Sequence, residues 1–247
     1  MRTITVLLTP IWVFLLPLPP ANNWEQRKMQ EEKTSHRQWS SLLAKHVDEK
    51  GLVNYRGFLK DSTALGNYLK QLALNAPAEA ADRDEKLVYY INLYNAATVK
   101  LILDHYPLKS IKDIDKPWDH EWVRVGNKKL SLGQIEHDIL RKMKEPRIHF
   151  AINCASYSCP KLWNKAFTVH NLDNQLDMAT RDFIRDPKRN KITKESLELS
   201  RIFQWYKKDF SEEGSLLSYI SPYTEVKPNP DARITYGNYN WSLNEAQ

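Results

Sequence analysis

Apolar residues recur every three or four positions along much of this chain, which is the spacing of one face of an α-helix. This spacing predicts helices over residues 36–47, 62–75, 79–105 and 172–185, with a shorter one over residues 201–208. The third segment is apolar on nearly all sides in its middle, so we expect neighbours to bury it on most faces. Another helix is predicted to begin at Ser131, which can form a capping box with Gln134.

Short extended segments predict a small antiparallel sheet. They come as two hairpins, residues 118–130 around the turn Gly126-Asn127 and residues 191–199. A further strand is predicted over residues 148–152, where apolar positions alternate. Because helices exceed strands and the strands come as hairpins, we expect a single, mostly helical domain of the α+β class.

The N-terminal segment is typical of an exported protein. Arg2 precedes an uncharged run over residues 4–18, which is shorter than the roughly 20 residues of a membrane-spanning helix. We predict a signal peptide over residues 1–21, a polar leader over 22–35 and one domain over 36–247. The protein is then secreted or periplasmic; the alternative is an uncleaved membrane anchor.

Composition narrows the classes of partner. The chain has 42% hydrophobic residues, as an ordinary globular protein does, and its net charge of +6 is interleaved with acidic residues. It carries no recognised nucleic-acid motif, so we expect no nucleic-acid partner. A cysteine pair of the C-x4-C type lacks the further paired ligands of a zinc site. We therefore predict neither a metal nor a cofactor.

Both cysteines of the chain, Cys154 and Cys159, lie in one loop of small polar residues. A nucleophilic Cys154 needs a nearby base or a positive electrostatic potential. A helix that begins just after Cys154 would supply the positive potential through its N-terminus. His149 is the obvious base, but residues five apart in a strand point to opposite faces, roughly 17 Å apart. His137 is freer to approach, although Glu136 beside it diverges by about 100° on a helix. A Cys154–Cys159 disulfide is the competing interpretation.

Three polar residues on predicted helices are candidates for the walls of this site. Asn92 and Asn95 share a face of the long apolar helix, where buried amides need hydrogen-bond partners. They either fasten neighbouring loops or line a pocket. Arg141 shares a face with His137 and would hold a carboxylate of the substrate.

Several stretches of the chain resemble the domain of unknown function 547 family, DUF547, in the order in which that family has them. They are YYINLYNA (residues 89–96), SLGQIEHDILR (131–141), IHFAINCASYSCP (148–160), LSRIFQWYKKDF (199–210) and NYNWSLN (238–244).

This resemblance implies no established activity, but it marks a set of positions. They are Asn92, Asn95, Glu136, His137, Arg141, His149, Cys154, Ser158 and Cys159. The family usually has an aspartate where this chain has Asn240. A buried helix packed on strands that carry a histidine is also distantly similar to transglutaminase-like and papain-like cysteine enzymes, a likeness of fold alone.

Three functions are consistent with the sequence. The first is an exported module that binds a small thiol, a peptide or a protein partner in a pocket centred on Cys154. The second is a cysteine-dependent hydrolase or acyl transferase with Cys154 as nucleophile, His137 or His149 as base, and Asn92, Asn95, Arg141, Ser158 and Cys159 around the ligand. The third is a scaffold stapled by a disulfide. Oligomeric state and ligand are left open.

Overall fold

The computed structural model describes residues 36–212 and 214–246. The predicted signal peptide over residues 1–21 and leader over 22–35 lie outside the described residues. Within the described part, no helix combines the length and the apolar character that crossing a membrane requires.

Helices dominate the described chain, and their bounds are as follows. They are α1 (Arg37–His46), α2 (Tyr55–Leu59), α3 (Ser62–Leu74), α4 (Arg83–His105), α5 (Ile148–Ala151), α6 (Leu172–Arg185), α7 (Ile202–Trp205), α8 (Lys207–Phe210) and α9 (Leu216–Ile220). A π-helix, Gln134–Leu140, continues into a short 3-10 turn, Arg141–Met143, and further 3-10 turns span Ile111–Asp113, Val169–Asn171 and Ser221–Tyr223. The helices predicted over residues 36–47, 62–75 and 172–185 are confirmed, and α4 begins at Arg83 rather than at residue 79.

The predicted capping box at Ser131 is confirmed. The Gln134 backbone N–H donates to Ser131 Oγ at 3.0 Å, and the Ser131 N–H donates to Gln134 Oε1 at 2.8 Å. Two backbone donors at the start of this helix are therefore satisfied by side chains.

Two small sheets complete the fold. In the first, β1 (Val123–Val125) and β2 (Lys128–Leu130) pair antiparallel around the predicted two-residue turn. In the second, the strand order is β3 (Lys191–Ile192), β4 (Ser196–Leu199) and β5 (Arg233–Tyr236). The β3–β4 hairpin was predicted, whereas the parallel pairing of β4 with β5 corrects the expectation of an antiparallel sheet. The architecture is thus α+β, as predicted.

The predicted strand over residues 148–152 is wrong, because residues 148–151 form α5. All four residues of α5 are buried, and a short segment covered on every side shows no periodicity that separates helix from strand. Ile148 packs in the apolar cluster around α4, whereas Phe150 packs against the rings of Phe183 and Phe203 in a second cluster. The chain therefore turns between His149 and the cysteine loop, and the separation estimated for a strand does not apply.

Two buried asparagines fasten α4 to the segments around it. Asn92 Nδ2 donates to the carbonyl of Phe167 and its Oδ1 accepts the Phe167 N–H, at 2.9 and 3.0 Å. Asn95 Nδ2 donates to the carbonyl of Ala151 at 2.9 Å, and its Oδ1 accepts the N–H of Asn153 at 2.8 Å. Asn95 thus holds both the end of α5 and the residue before Cys154.

The C-terminal segment, residues 240–246, binds the cysteine loop to the rest of the domain. The Tyr157 N–H donates to the carbonyl of Ser242 at 2.7 Å, and the Asn244 N–H donates to the carbonyl of Ala155 at 3.1 Å. On its other side the Val53 N–H donates to the carbonyl of Asn244 at 2.8 Å. This segment therefore sets the position of the loop between Cys154 and Cys159.

We expect Asn95→Ala to lower the free energy of unfolding by about 2–4 kcal/mol, because it leaves a buried carbonyl and a buried N–H without partners. Urea denaturation measures the loss. The matched control is Asn174→Ala on the exposed face of α6, which should change stability by less than about 0.5 kcal/mol. Equal effects of the two substitutions would contradict this role of Asn95.

Candidate functional site

A cleft of about 230 Å³ opens beside the cysteine loop. Its walls come from α4, the loop before β1, the π-helix, the α5–loop segment, α7 with the residue after it, and the stretch from Tyr239 to Trp241. The lining residues are Tyr94, Trp118, Glu136, His137, His149, Ile152, Cys154, Cys159, Pro160, Ile202, Trp205, Tyr206, Tyr239 and Trp241. Distant parts of the sequence thus meet in one place.

Cys154 lies in the cleft with three potential hydrogen-bond partners on its sulfur. Cys159 Sγ is 2.8 Å away, Ser156 Oγ 3.1 Å and Tyr239 Oη 3.4 Å. Hydrogen bonding from Cys159 is the largest influence and lowers the Cys154 pKa to about 7, against the opposing effect of burial. Burial raises the pKa of Cys159, so this residue remains a thiol that can donate. Both are free thiols in this structure.

The backbone at the cysteine loop is strained. Ala155, directly after Cys154, has a positive φ of 58°, and its N–H donates to Asn153 Oδ1 at 2.8 Å. A non-glycine residue in this conformation costs on the order of 1–3 kcal/mol and persists only where the surrounding structure enforces it. No helix begins directly after Cys154, since the next helical turn starts at Val169, so the lowered pKa comes from side-chain donors rather than from a helix N-terminus.

His149 is buried in the floor of the cleft and is oriented by Asp209. Its Nε2 lies 2.8 Å from Asp209 Oδ2, and its ring stacks on Tyr206 with centroids 3.9 Å apart. Burial lowers the pKa of His149, which favours the neutral imidazole at neutral pH. The side chain is therefore held in one orientation by a carboxylate and an aromatic ring.

Asp209 is itself held by Arg141, whose Nε and Nη2 donate to its two carboxylate oxygens at 2.6 and 2.8 Å. Burial opposes its ionisation, yet the hydrogen bonds from Arg141 and His149 keep the Asp209 pKa well below its usual range. The bidentate contact occupies the guanidinium that was expected to hold a carboxylate of the substrate.

Glu136 and His137 line the cleft without forming a pair. The Glu136 carboxylate accepts hydrogen bonds from Tyr94 Oη at 3.2 Å and from Tyr206 Oη. His137 is half-exposed, with Nδ1 3.3 Å from Arg141 Nη1 and 4.0 Å from the nearest Glu136 oxygen. Glu136 therefore does not orient His137.

The structure brings five of the predicted site residues together, namely Cys154, Cys159, His149, His137 and Glu136. The others lie elsewhere. Asn92 and Asn95 are occupied by backbone groups, Arg141 by Asp209, and Ser158 Oγ by the Asn240 N–H at 2.9 Å. These four do not line the cleft. Among the described residues, no cluster of three or more His, Cys, Asp or Glu residues could hold a metal.

Sequence reasoning missed Asp209 and the aromatic residues of the cleft. Tyr206 and Asp209 lie in the stretch LSRIFQWYKKDF, and Tyr239 and Trp241 lie in NYNWSLN. Both stretches are among those that resemble the DUF547 family. Nothing in the spacing of the chain connects Asp209 with His149, which is 60 positions earlier.

Comparison with known proteins assigns the family. The family model described as "Protein of unknown function, DUF547" matches residues 78–184. This match, over less than half of the chain, supports the assignment to the DUF547 family. The range matched in this DUF547 protein contains His149, Cys154 and Cys159, whereas Asp209 and Tyr239 lie beyond it. No curated protein and no solved structure matches the chain. The likeness to transglutaminase-like and papain-like enzymes thus stays a prediction.

The rate at which iodoacetamide alkylates Cys154 should rise with a midpoint near pH 7. Cys159→Ala should raise the midpoint by about one to two pH units, because removing a donor to the thiolate removes a charge-assisted hydrogen bond. Tyr239→Phe should raise it less, since that contact is longer. Peptide mass spectrometry assigns the label, and a wild-type midpoint above pH 8.5 would contradict the described geometry.

Diamide should convert the two thiols into a Cys154–Cys159 disulfide, because their sulfur atoms already lie 2.8 Å apart. The thiols lose two electrons and two protons, and diamide is reduced to the hydrazine. Free-thiol titration should fall to zero and recover with dithiothreitol. Cys159→Ala is the control, because it cannot form this disulfide. If both thiols persist in the wild-type chain, the two sulfur atoms do not lie as close together as described.

Proposed function

We propose that this DUF547 protein is a cysteine-dependent hydrolase or acyl transferase that acts on an amide, peptide or thioester. One observation carries the proposal: the Cys154 thiol, with its lowered pKa, shares a cleft with the oriented His149–Asp209 pair. Neither a passive binding pocket nor a scaffold requires both features.

Cys154 is the proposed nucleophile. With its pKa lowered from the usual range to about 7, a substantial fraction of Cys154 is thiolate at neutral pH. The thiolate is the reactive form, and hydrogen bonds from Cys159, Ser156 and Tyr239 favour it without a directly bonded base. The strained turn at Ala155 supports the same assignment, because strain is retained where the surrounding structure enforces a particular side-chain position.

His149 is the proposed acid and base. Since Asp209 is anionic, His149 Nε2 carries the proton that donates to it, and Nδ1 is left as the acceptor. In the substrate complex Nδ1 takes the Cys154 proton as sulfur attacks the carbonyl carbon, and returns it to the leaving group as that bond breaks. Water or an acceptor amine then loses a proton to Nδ1 while attacking the thioester, and the proton returns to Cys154.

His149 is a better base than His137 on the described geometry. His149 is fixed by Asp209 and Tyr206, whereas His137 is half-exposed and its Nδ1 faces the permanently charged Arg141. A fixed imidazole loses less orientational freedom on reaching the transition state. His137 is therefore proposed only as a residue of the cleft rim.

A second candidate function is ligand binding without turnover, which the aromatic walls of the cleft favour. Trp205, Tyr239 and Trp241 form mutual ring contacts with centroids 4.6–5.7 Å apart. Such rings are common in binding sites because they offer a large contact area at a low entropy cost. A small molecule or peptide is the ligand proposed in either case.

We also propose that the protein is exported, by a signal peptide over residues 1–21 or with that segment kept as a membrane anchor. The support is the uncharged run after Arg2 in the sequence.

The test uses p-nitrophenyl acetate and a thioester as acyl donors to the full chain. We expect an acetyl group on the peptide that carries Cys154, and no acetylation of the Cys154→Ser variant. His149→Ala and Asp209→Asn should slow turnover by about 100-fold or more, since they remove the base or its orientation. The matched control is Asp138→Asn, an exposed residue of the same helix as His137. Equal turnover by wild type and Cys154→Ser would overturn the enzyme proposal and favour binding.

A further inference from the structure

The charge of the cleft is opposite to that of the chain. The chain carries 36 lysines and arginines against 30 acidic residues. Among the described residues that line the cleft, however, there is one carboxylate, Glu136, and neither lysine nor arginine. A ligand that enters this cleft therefore meets a local negative charge on a basic protein.

Aromatic rings surround this carboxylate. Six lining residues are tryptophan or tyrosine, and Trp205, Tyr239 and Trp241 pack against one another. The faces of such rings carry negative electrostatic potential, so they attract organic cations as well as apolar groups. The Lys112 ammonium lies 4.2 Å from the centroid of the Trp241 ring, so one face of that ring already contacts a cation and the other face is the one that a ligand could meet.

Glu136 forms no ion pair with a lysine or arginine among the described residues, and the nearest ring nitrogen is that of half-exposed His137 at 4.0 Å. The Arg141 guanidinium, paired with Asp209, interacts with Glu136 only through its field. Glu136 is 95% buried, and each of its two carboxylate oxygens accepts one hydrogen bond from a tyrosine hydroxyl. Each oxygen therefore keeps a lone pair that can accept a further hydrogen bond. A buried carboxylate of this kind is stabilised by a cation that enters the cleft, because charges attract more strongly where water is excluded.

We infer that the cleft binds an alkylammonium group, with Glu136 as its counter-ion and Trp205, Tyr239 and Trp241 as its aromatic walls. The inference rests on the proposed function for one point only, that the ammonium belongs to the substrate on which Cys154 acts. It assigns that substrate to the class of amines and amine-bearing acyl compounds. The binding itself does not depend on Cys154.

The test compares choline with 3,3-dimethyl-1-butanol, in which carbon replaces the charged nitrogen. Ligand-observed NMR titrations on the full-length, reduced protein at constant ionic strength give both affinities. We expect choline to bind about tenfold more tightly, which is within the range of cation–π interactions in partly desolvated sites. Equal binding would overturn the inference, because it would show that the cleft recognises shape and apolar surface alone.

Variants locate the binding. Glu136→Gln should reduce the preference for choline about threefold or more, and Trp205→Leu should also reduce it. Trp205 is 44% exposed, so its replacement leaves the core intact and covers the case in which Glu136→Gln fails to fold. The matched control is Glu212→Gln, which removes a charge at an exposed ion pair with Lys144. An unchanged preference in a folded Trp205→Leu variant, or tighter binding of acetate than of choline, would overturn the inference.

Cys154→Ser separates the two proposals. If the chain binds choline but fails to form an acyl-enzyme, the proposed function fails and the cation site stands. If Cys154 is acylated while choline and the neutral alcohol bind with equal affinity, the proposed function stands and the cation site fails. We expect Cys154→Ser to keep the choline preference within about twofold, because no contact of the cation with sulfur is required.

Discussion

The Asp209 carboxylate is the interaction on which the candidate site depends. It accepts two hydrogen bonds from Arg141 at the end of the π-helix and one contact from His149 on α5, while its own residue lies on α8. A partly buried carboxylate without these partners would be costly, so the three elements are held together by the need to compensate one charge. The same contact fixes the tautomer of His149 and its orientation in the cleft.

The cysteine loop is fixed from two independent directions. From inside, Asn95 holds the backbone of Asn153, and from outside the C-terminal segment holds Ala155 and Tyr157. Tyr239, directly before this segment, lies within hydrogen-bonding distance of Cys154 and Ser156. The environment that lowers the thiol pKa is thus built mainly by Cys159 and Ser156 of the loop, and Tyr239 adds to it from the C-terminal part of the chain. The DUF547 match alone, over residues 78–184, would not contain a complete site.

Local patterns in the sequence predict much of the secondary structure. Some features depend only on residues within a few positions of one another, and these can be predicted from the sequence without knowing the tertiary structure. They are the apolar spacing of α1, α3 and α6, the capping box at Ser131 and the Gly126-Asn127 turn. Where burial is complete, the pattern does not separate helix from strand: α5 has four buried residues in a row, and the alternation of its apolar positions predicts a strand. Because α5 is helical, the separation that a strand would impose between His149 and Cys154 does not apply. The Asp209–His149 contact and the β4–β5 pairing join distant segments, which no periodicity reveals.

The central claim is that Cys154 and His149 act as a unit in one cleft. A double-mutant cycle on the turnover of p-nitrophenyl acetate tests it most directly. If the two side chains serve the same step, Cys154→Ser combined with His149→Ala should be no slower than Cys154→Ser alone, because residues that act together lose their function together. Losses that add in the double variant would show that His149 does not serve the Cys154 reaction, and would contradict the account.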